Sequence, residues 1–151
     1  MEDMYEFECG HAPENVVHSS TAMDMLQTMR QAEWIAVSAT VEADGSTSSI
    51  ALVDECKMLW LENNPYSARG LLHDDAVVKV CFGGDRIPGV CQLDLADEIA
   101  REMSCPAPRN LRKADELLRC DSPALRAEHT MCPQCRAAVV HRLYIALRSL
   151  Q

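Results

Sequence analysis

The feature that most constrains this chain is residues 34–82. There, a run of alternating apolar and small polar residues is followed by a tight turn and three more short β-type runs. Ile35, Val37, Ala39 and Val41 alternate with Ala36, Ser38, Thr40 and Glu42, the period of a strand. Ala43-Asp44-Gly45 supplies the residue that tolerates positive φ in a hairpin, and Ile50, Leu52 and Val53 carry the return strand. A third strand is expected over 57–62. It is apolar on both faces through Met58, Leu59, Trp60 and Leu61, which predicts a central position. Pro65 closes it, residues 66–73 read as a short helix, and 76–82 and 89–95 give two further strands. Ser67-Ala68-Arg69 opens the short helix just after a strand end. There, outward-pointing N–H groups and a guanidinium suit a phosphate.

Short strands with little helix between them predict a mainly β fold with flanking helices, a small antiparallel barrel. Before it, Ser19-Ser20-Thr21 offers caps for a helix reaching about Gln31, with Ala22, Met25, Leu26 and Met29 on one face. After it, the chain turns helical over 97–103 and 110–119, with a break at Cys105-Pro-Ala-Pro108 and a further start at Asp121-Ser122-Pro123. Residues 139–147 fit both periods. Val139, His141, Leu143, Ile145 and Leu147 alternate as a strand would, Val139, Leu143 and Leu147 fit a helix, and β-branching favours the strand. The organisation that follows is an arm over 1–18, a core over 19–100 and a cysteine-containing extension over 101–151 that supplies the final barrel strand.

The net charge of −9 is unevenly spread. Residues 1–100 hold 5 Lys/Arg against 18 Asp/Glu, a balance of −13, and residues 101–151 hold 9 against 5, a balance of +4. An acidic body argues against nucleic acid as partner, and the basic tail is expected to dock on the acidic body of its own or a partner subunit. The start, Met1-Glu-Asp-Met-Tyr-Glu-Phe-Glu8, is acidic and unlike a secretory signal. No apolar run approaches the ~20 residues of a membrane span, so a cytoplasmic location with no membrane partner is expected.

The order of these elements resembles the pyridoxamine 5'-phosphate oxidase-like family, the FMN-binding split barrels. The matching features are the hairpin with Asp44-Gly45, the strand over 57–62, and Asn63-Asn64-Pro65-Tyr66-Ser67-Ala68-Arg69-Gly70-Leu71-Leu72 leading into the strand over 76–82. The resemblance implies a six-stranded antiparallel split β-barrel, a homodimer with FMN at its interface, and a flavin-dependent oxidoreductase acting on a small-molecule substrate. It implies that Ser67 and Arg69 contact the FMN phosphate, that Asn63 and Asn64 sit beside it, and that Ser48, Ser49 and Ile50 line the flavin ring. Where the family often carries Gly-Arg-Pro after the turn aspartate, this chain has Gly45-Ser46-Thr47. The alternative is a non-catalytic flavin- or haem-binding module with a structural metal site.

Eight cysteines in a chain of this length without a signal are expected to be reduced, with Cys81 and Cys91 as small core residues. Cys132-Pro-Gln-Cys135 has the spacing of half a tetrahedral zinc site, and Cys9-Gly10-His11 is the matching half, with His129 and Cys120 as rivals. The same C-x-x-C step also reads as a redox dithiol or as two incidental thiols.

Overall fold

The computed structural model describes residues 24, 26–54, 58–62, 69–120 and 131–150. The hairpin forms as its alternation predicts. Strand β1 (Trp34–Val41) pairs antiparallel with β2 (Thr47–Val53), with Ser38 opposite Ala51 and Ala39 opposite Ile50. Gly45 takes φ 89° in the turn, and the Asp44 carboxylate accepts hydrogen bonds from the Ser46 N–H at 2.9 Å and its hydroxyl at 2.6 Å. Those two bonds hold the Asp44 carboxyl below its ordinary range.

Strand β3 (Met58–Glu62) joins β2 antiparallel. A helical turn, α1 (Arg69–Leu72), then carries the chain to β4 (Val78–Cys81), which pairs with β1 in parallel. A 3-10 turn (Gly83–Asp85) leads towards β5 (Leu93–Asp94), parallel to β4. The result is one open mixed sheet of five strands in the order β3-β2-β1-β4-β5. This corrects the expected six-stranded antiparallel split barrel: β4 and β5 run parallel to their neighbours, and β3 lies at an edge instead of the centre. Apolar residues on both faces of β3 reflect helices above and below the sheet, which periodicity alone does not distinguish from a central strand.

Three helices follow: α2 (Leu95–Met103), α3 (Leu111–Leu118) and α4 (Pro133–Arg148). Asp94 caps α2 by accepting the Ala96 N–H, and Asn110 caps α3 by accepting the Lys113 N–H. The stretch 139–147, expected as the last barrel strand, is the interior of α4. Val139, Val140, Leu143 and Leu147 are buried at helical spacing, whereas Ile145, which a strand would bury beside Leu143 and Leu147, is 50% exposed. Similarly, the strand expected over 89–95 shrinks to two residues, because Leu95 begins α2. Cys91 is exposed, contrary to its expected core position, whereas Cys81 is buried.

The sheet has a core on each face. Ile35, Val37, Ile50, Leu52 and Leu59 pack towards Leu26, Met29, Leu71 and Leu72. Ala36, Ala51, Val53 and Val80 point the other way, into Leu95, Ile99, Leu111, Val139 and Leu143 of the helical layer. No helix among the described residues is long and apolar enough to cross a membrane.

Candidate functional site

In open sheets with parallel strands, ligands sit beyond the carboxyl ends of those strands, where the chain direction switches. Here that place is the end of β1, beside β4 on one flank and antiparallel β2 on the other. Helix α4 covers it. Trp34, at the start of β1, stacks on His141 with centroids 4.7 Å apart and meets Tyr144 edge-on at 4.6 Å, and Arg148 reaches Glu33 at 3.4 Å. The helix therefore runs antiparallel to β1. Four strand residues span about 13 Å, which is about nine helical residues, so the first turn of α4 lies over Ser38.

That level of the structure is polar. Ser38 and Gln134 are each 1% exposed, in the midst of apolar neighbours. Ser38, Ala51 and Trp60 form one row across the sheet, on the face that α4 covers. The side-chain nitrogens Gln134 Nε2 and Trp60 Nε1 are buried without a hydrogen-bond partner, the two such atoms among the described residues. Arg136 Nε bonds the Asp85 carboxylate at 2.6 Å, tying the first turn of α4 to the 3-10 turn after β4. Cys132 caps the helix: its Sγ accepts the Cys135 N–H at 3.4 Å, and Pro133 occupies the first helical position.

The structure brings together some of the residues singled out from sequence and separates others. Ser48, Ser49 and Ile50 do not share a surface, as strand alternation requires. Ser49 is buried on the α4 side, Ser48 donates from its hydroxyl to the Thr40 carbonyl at 3.3 Å, and Ile50 lies on the opposite face. Ile50 and Arg69 do meet, as lining of one cleft of about 230 Å³. Asn63, Asn64 and Ser67 lie outside the described residues. So do Cys9 and His11, the expected partners of Cys132 and Cys135. Cys132 and Cys135 are adjacent, but no group of three His, Cys, Asp or Glu among the described residues is placed to hold a metal ion. Sequence reasoning missed Gln134 and Trp60. The available signal was a glutamine inside the C-x-x-C step at the start of an otherwise apolar helical stripe.

The thiols differ sharply. Burial, reinforced by the nearby Asp94 carboxylate, pushes Cys81 up to about 12, and burial raises Cys120 as well. Treatment of the folded protein with a thiol reagent at pH 8, followed by peptide mapping, is expected to label Cys91 and leave Cys81 untouched. Equal labelling of the two would contradict the burial of β4.

No known family pattern matches the chain. No curated protein matches it. Solved structures do. The catalytic core of RRP6 from Trypanosoma brucei aligns with TM-score 0.62 and 14% identity over 89% of this chain and 46% of its own. The EXD2 exonuclease domain soaked in Mn and GMP aligns with TM-score 0.45 and 15% identity, over 88% of this chain and 87% of its own. Escherichia coli RNase D, an exoribonuclease involved in structured RNA processing, gives 0.42 and 12%, over 89% and 45%. The chain spans just under half the length of the RRP6 core.

The likeness to the RRP6 core, with the open mixed sheet, overturns the resemblance to FMN-binding split barrels and what hung on it. FMN as cofactor, flavin-dependent oxidoreduction, the flavin- or haem-binding alternative and a homodimer with flavin at its interface all lose their ground, while the zinc expectation rested on cysteine spacing and finds no third ligand among the described residues. The exclusion of nucleic acid as partner falls too, since it rested on overall charge and accompanied a barrel fold that this chain does not have. The chain shares the fold of the part of the Trypanosoma brucei RRP6 catalytic core that it spans.

Proposed function

We propose that this chain binds a single strand of nucleic acid at the end of β1 and does not cleave it through a divalent-metal centre. The observation that carries this reading is the chemistry of the positions facing α4 at that end. Phosphodiester hydrolysis by two metal ions needs clustered carboxylate oxygens, the ligands hard divalent cations prefer. The end of β1 instead carries Ser38 and Thr40, the covering helix adds Gln134, and the Asp85 carboxylate in the turn after β4 is bonded to Arg136. These residues do not fit Mn²⁺ or Mg²⁺. They do fit hydrogen bonding: the Gln134 amide and the Trp60 indole each keep a buried N–H donor without a partner.

The fold supports nucleic acid as the ligand class, because named neighbours of the same architecture act as exonucleases. Charge supports a limited backbone contact. The positive excess lies in residues 101–151, where Arg112, Lys113 and Arg119 are exposed on or just beyond α3.

The test uses a fluorescent single-stranded RNA and its DNA counterpart, in EDTA and in Mn²⁺. Saturable binding that EDTA leaves unchanged, with the strand intact in Mn²⁺, is the expected outcome. Metal-dependent shortening that a Ser38→Ala change abolishes would restore a nuclease reading. Absence of binding to either strand would remove nucleic acid altogether.

A further inference from the structure

The two thiols at the start of α4 take no part in the nucleic-acid reading. We propose that Cys132 and Cys135 are a redox-active dithiol, in which Cys132 attacks a small disulfide and Cys135 closes the bond. The inference is independent of that reading, since it asks nothing of Ser38, Trp60 or a bound strand.

The first argument is position. Cys132 is the N-cap of α4, and Cys135 lies in its first turn. Both are thiols outside any disulfide. Cys132 Sγ sits 3.4 Å from the Cys135 nitrogen, whose N–H it accepts. Residues three apart on a helix have Cβ atoms about 5–6 Å apart, and a disulfide needs about 3.5–4.5 Å. The difference is closed at Cys132, whose backbone is extended at φ −76° and ψ 165° and stands outside the helical hydrogen-bond ladder.

The second argument is asymmetry. Cys132 is partly exposed, whereas Cys135 is 0% exposed. A disulfide arriving from solvent therefore meets Cys132 first. Cys135 is held in place, because Ala137 and Ala138 beyond it are buried and Arg136 ties the same turn to Asp85. The buried thiol meets the sulfur that Cys132 presents.

The third argument is charge. The thiolate is the nucleophile in disulfide exchange. The start of a 16-residue helix favours negative charge, and the Cys135 N–H is already aimed at Cys132 Sγ. Pro133 has no N–H and pre-sets the first turn between the two cysteines. Cys81 is the contrast, since burial and the Asp94 carboxylate keep that thiol neutral.

The exchange balances without a metal. The Cys132 thiolate attacks one sulfur of the disulfide RSSR, forms a mixed disulfide and expels RS⁻. Cys135 then loses its proton to solvent, attacks the Cys132 sulfur and expels the second RS⁻. The protein gives up two electrons and two protons, and RSSR leaves as two RSH.

Oxidised glutathione is the probe, added to the intact reduced chain, with the products alkylated and mapped by mass spectrometry. A Cys132–Cys135 disulfide is expected, with Cys91 left as a thiol. Cys132→Ser keeps an N-cap side chain and should leave Cys135 reduced, whereas Cys135→Ala should accumulate glutathione on Cys132. In the unaltered chain at pH 6, iodoacetamide is expected to label Cys132 about threefold or more faster in the folded state than in urea. The proposal is overturned by an absence of the Cys132–Cys135 disulfide, by glutathione collecting on Cys91 instead, or by Cys135 oxidising in Cys132→Ser as in the parent. Slower labelling of Cys132 in the folded chain, or stoichiometric zinc that Cys132→Ser releases, would overturn it as well.

Discussion

Replacing Leu143 by alanine is expected to cost about 2–5 kcal/mol of stability, and replacing Ile145 by alanine less than about 0.5 kcal/mol, measured by urea unfolding. The difference follows from helical geometry. Leu143 is fully buried against β1 and β2, in a stripe with Val139 and Leu147, and its truncation leaves a void between helix and sheet. Ile145 is half exposed and already meets water. Had 139–147 been a barrel strand, both side chains would share one face and the two losses would be comparable. Equal destabilisation would therefore return the stretch to a strand and, with it, the mixed sheet to doubt. A fall in the denaturant midpoint without a change in slope would show that the loss is one of stability and not of compactness.

A Gln134→Met change is expected to act in the opposite direction and stabilise the free protein by about 1–3 kcal/mol, raising its melting temperature by about 2–8 °C. Methionine keeps the length and linear shape of glutamine. It removes an amide nitrogen that is out of contact with water and has no hydrogen-bond partner. Desolvating such a group is an uncompensated cost in the folded state, so deleting it relieves that cost. Nearly all buried polar groups in proteins are paired, and an exception is most readily kept where something binds. If Gln134 serves the nucleic-acid site, the same variant loses affinity as it gains stability, the trade expected where function holds a group in an unfavourable state. A lower melting temperature for Gln134→Met would mean that the amide is satisfied in solution, and the reading of it as an unpaired donor would fail.

Part of this architecture was legible in the sequence, namely the part fixed by local periodicity and turn chemistry. The hairpin around Asp44-Gly45 follows from alternation and a positive-φ glycine, and the helices expected over 97–103 and 110–119 form at 95–103 and 111–118, with caps at Asp94 and Asn110 that the sequence reading did not name. Strand direction did not follow. The link from β3 to β4 carries only the four-residue helix α1 among its described residues, and a connection that short in helix reads as antiparallel. The parallel pairing of Trp34 with Val78 and Ala36 with Val80 is a choice of tertiary packing. Val139 and Ile145 misled for a related reason. β-branched residues favour strands in isolation, yet a helix packed along its length against a sheet overrides that preference.

The site was less legible still. The sequence drew attention to charged and thiol groups, whereas the end of β1 is defined by a serine, a threonine and a glutamine whose significance comes from burial. The cluster expected around a flavin fails on simple geometry, because Ser49 and Ile50 are adjacent in a strand and must face opposite sides of the sheet. Arg69 and Ile50 share a cleft only because α1 folds back over β2, a contact that spacing along the chain does not encode.

Helix α4 comes last among the described elements, yet it covers β1, the first strand and the middle of the sheet. During synthesis, the hairpin and β3 can pair as soon as they leave the ribosome. The face carrying Ala36, Ala51 and Val53 lacks the helix that lies along β1 and β2 until about 80 further residues have been made. A nascent chain halted before residue 133 is thus unfinished in a literal sense: one face of its sheet is covered, and the other lacks α4 and leaves apolar surface that a chaperone must shield.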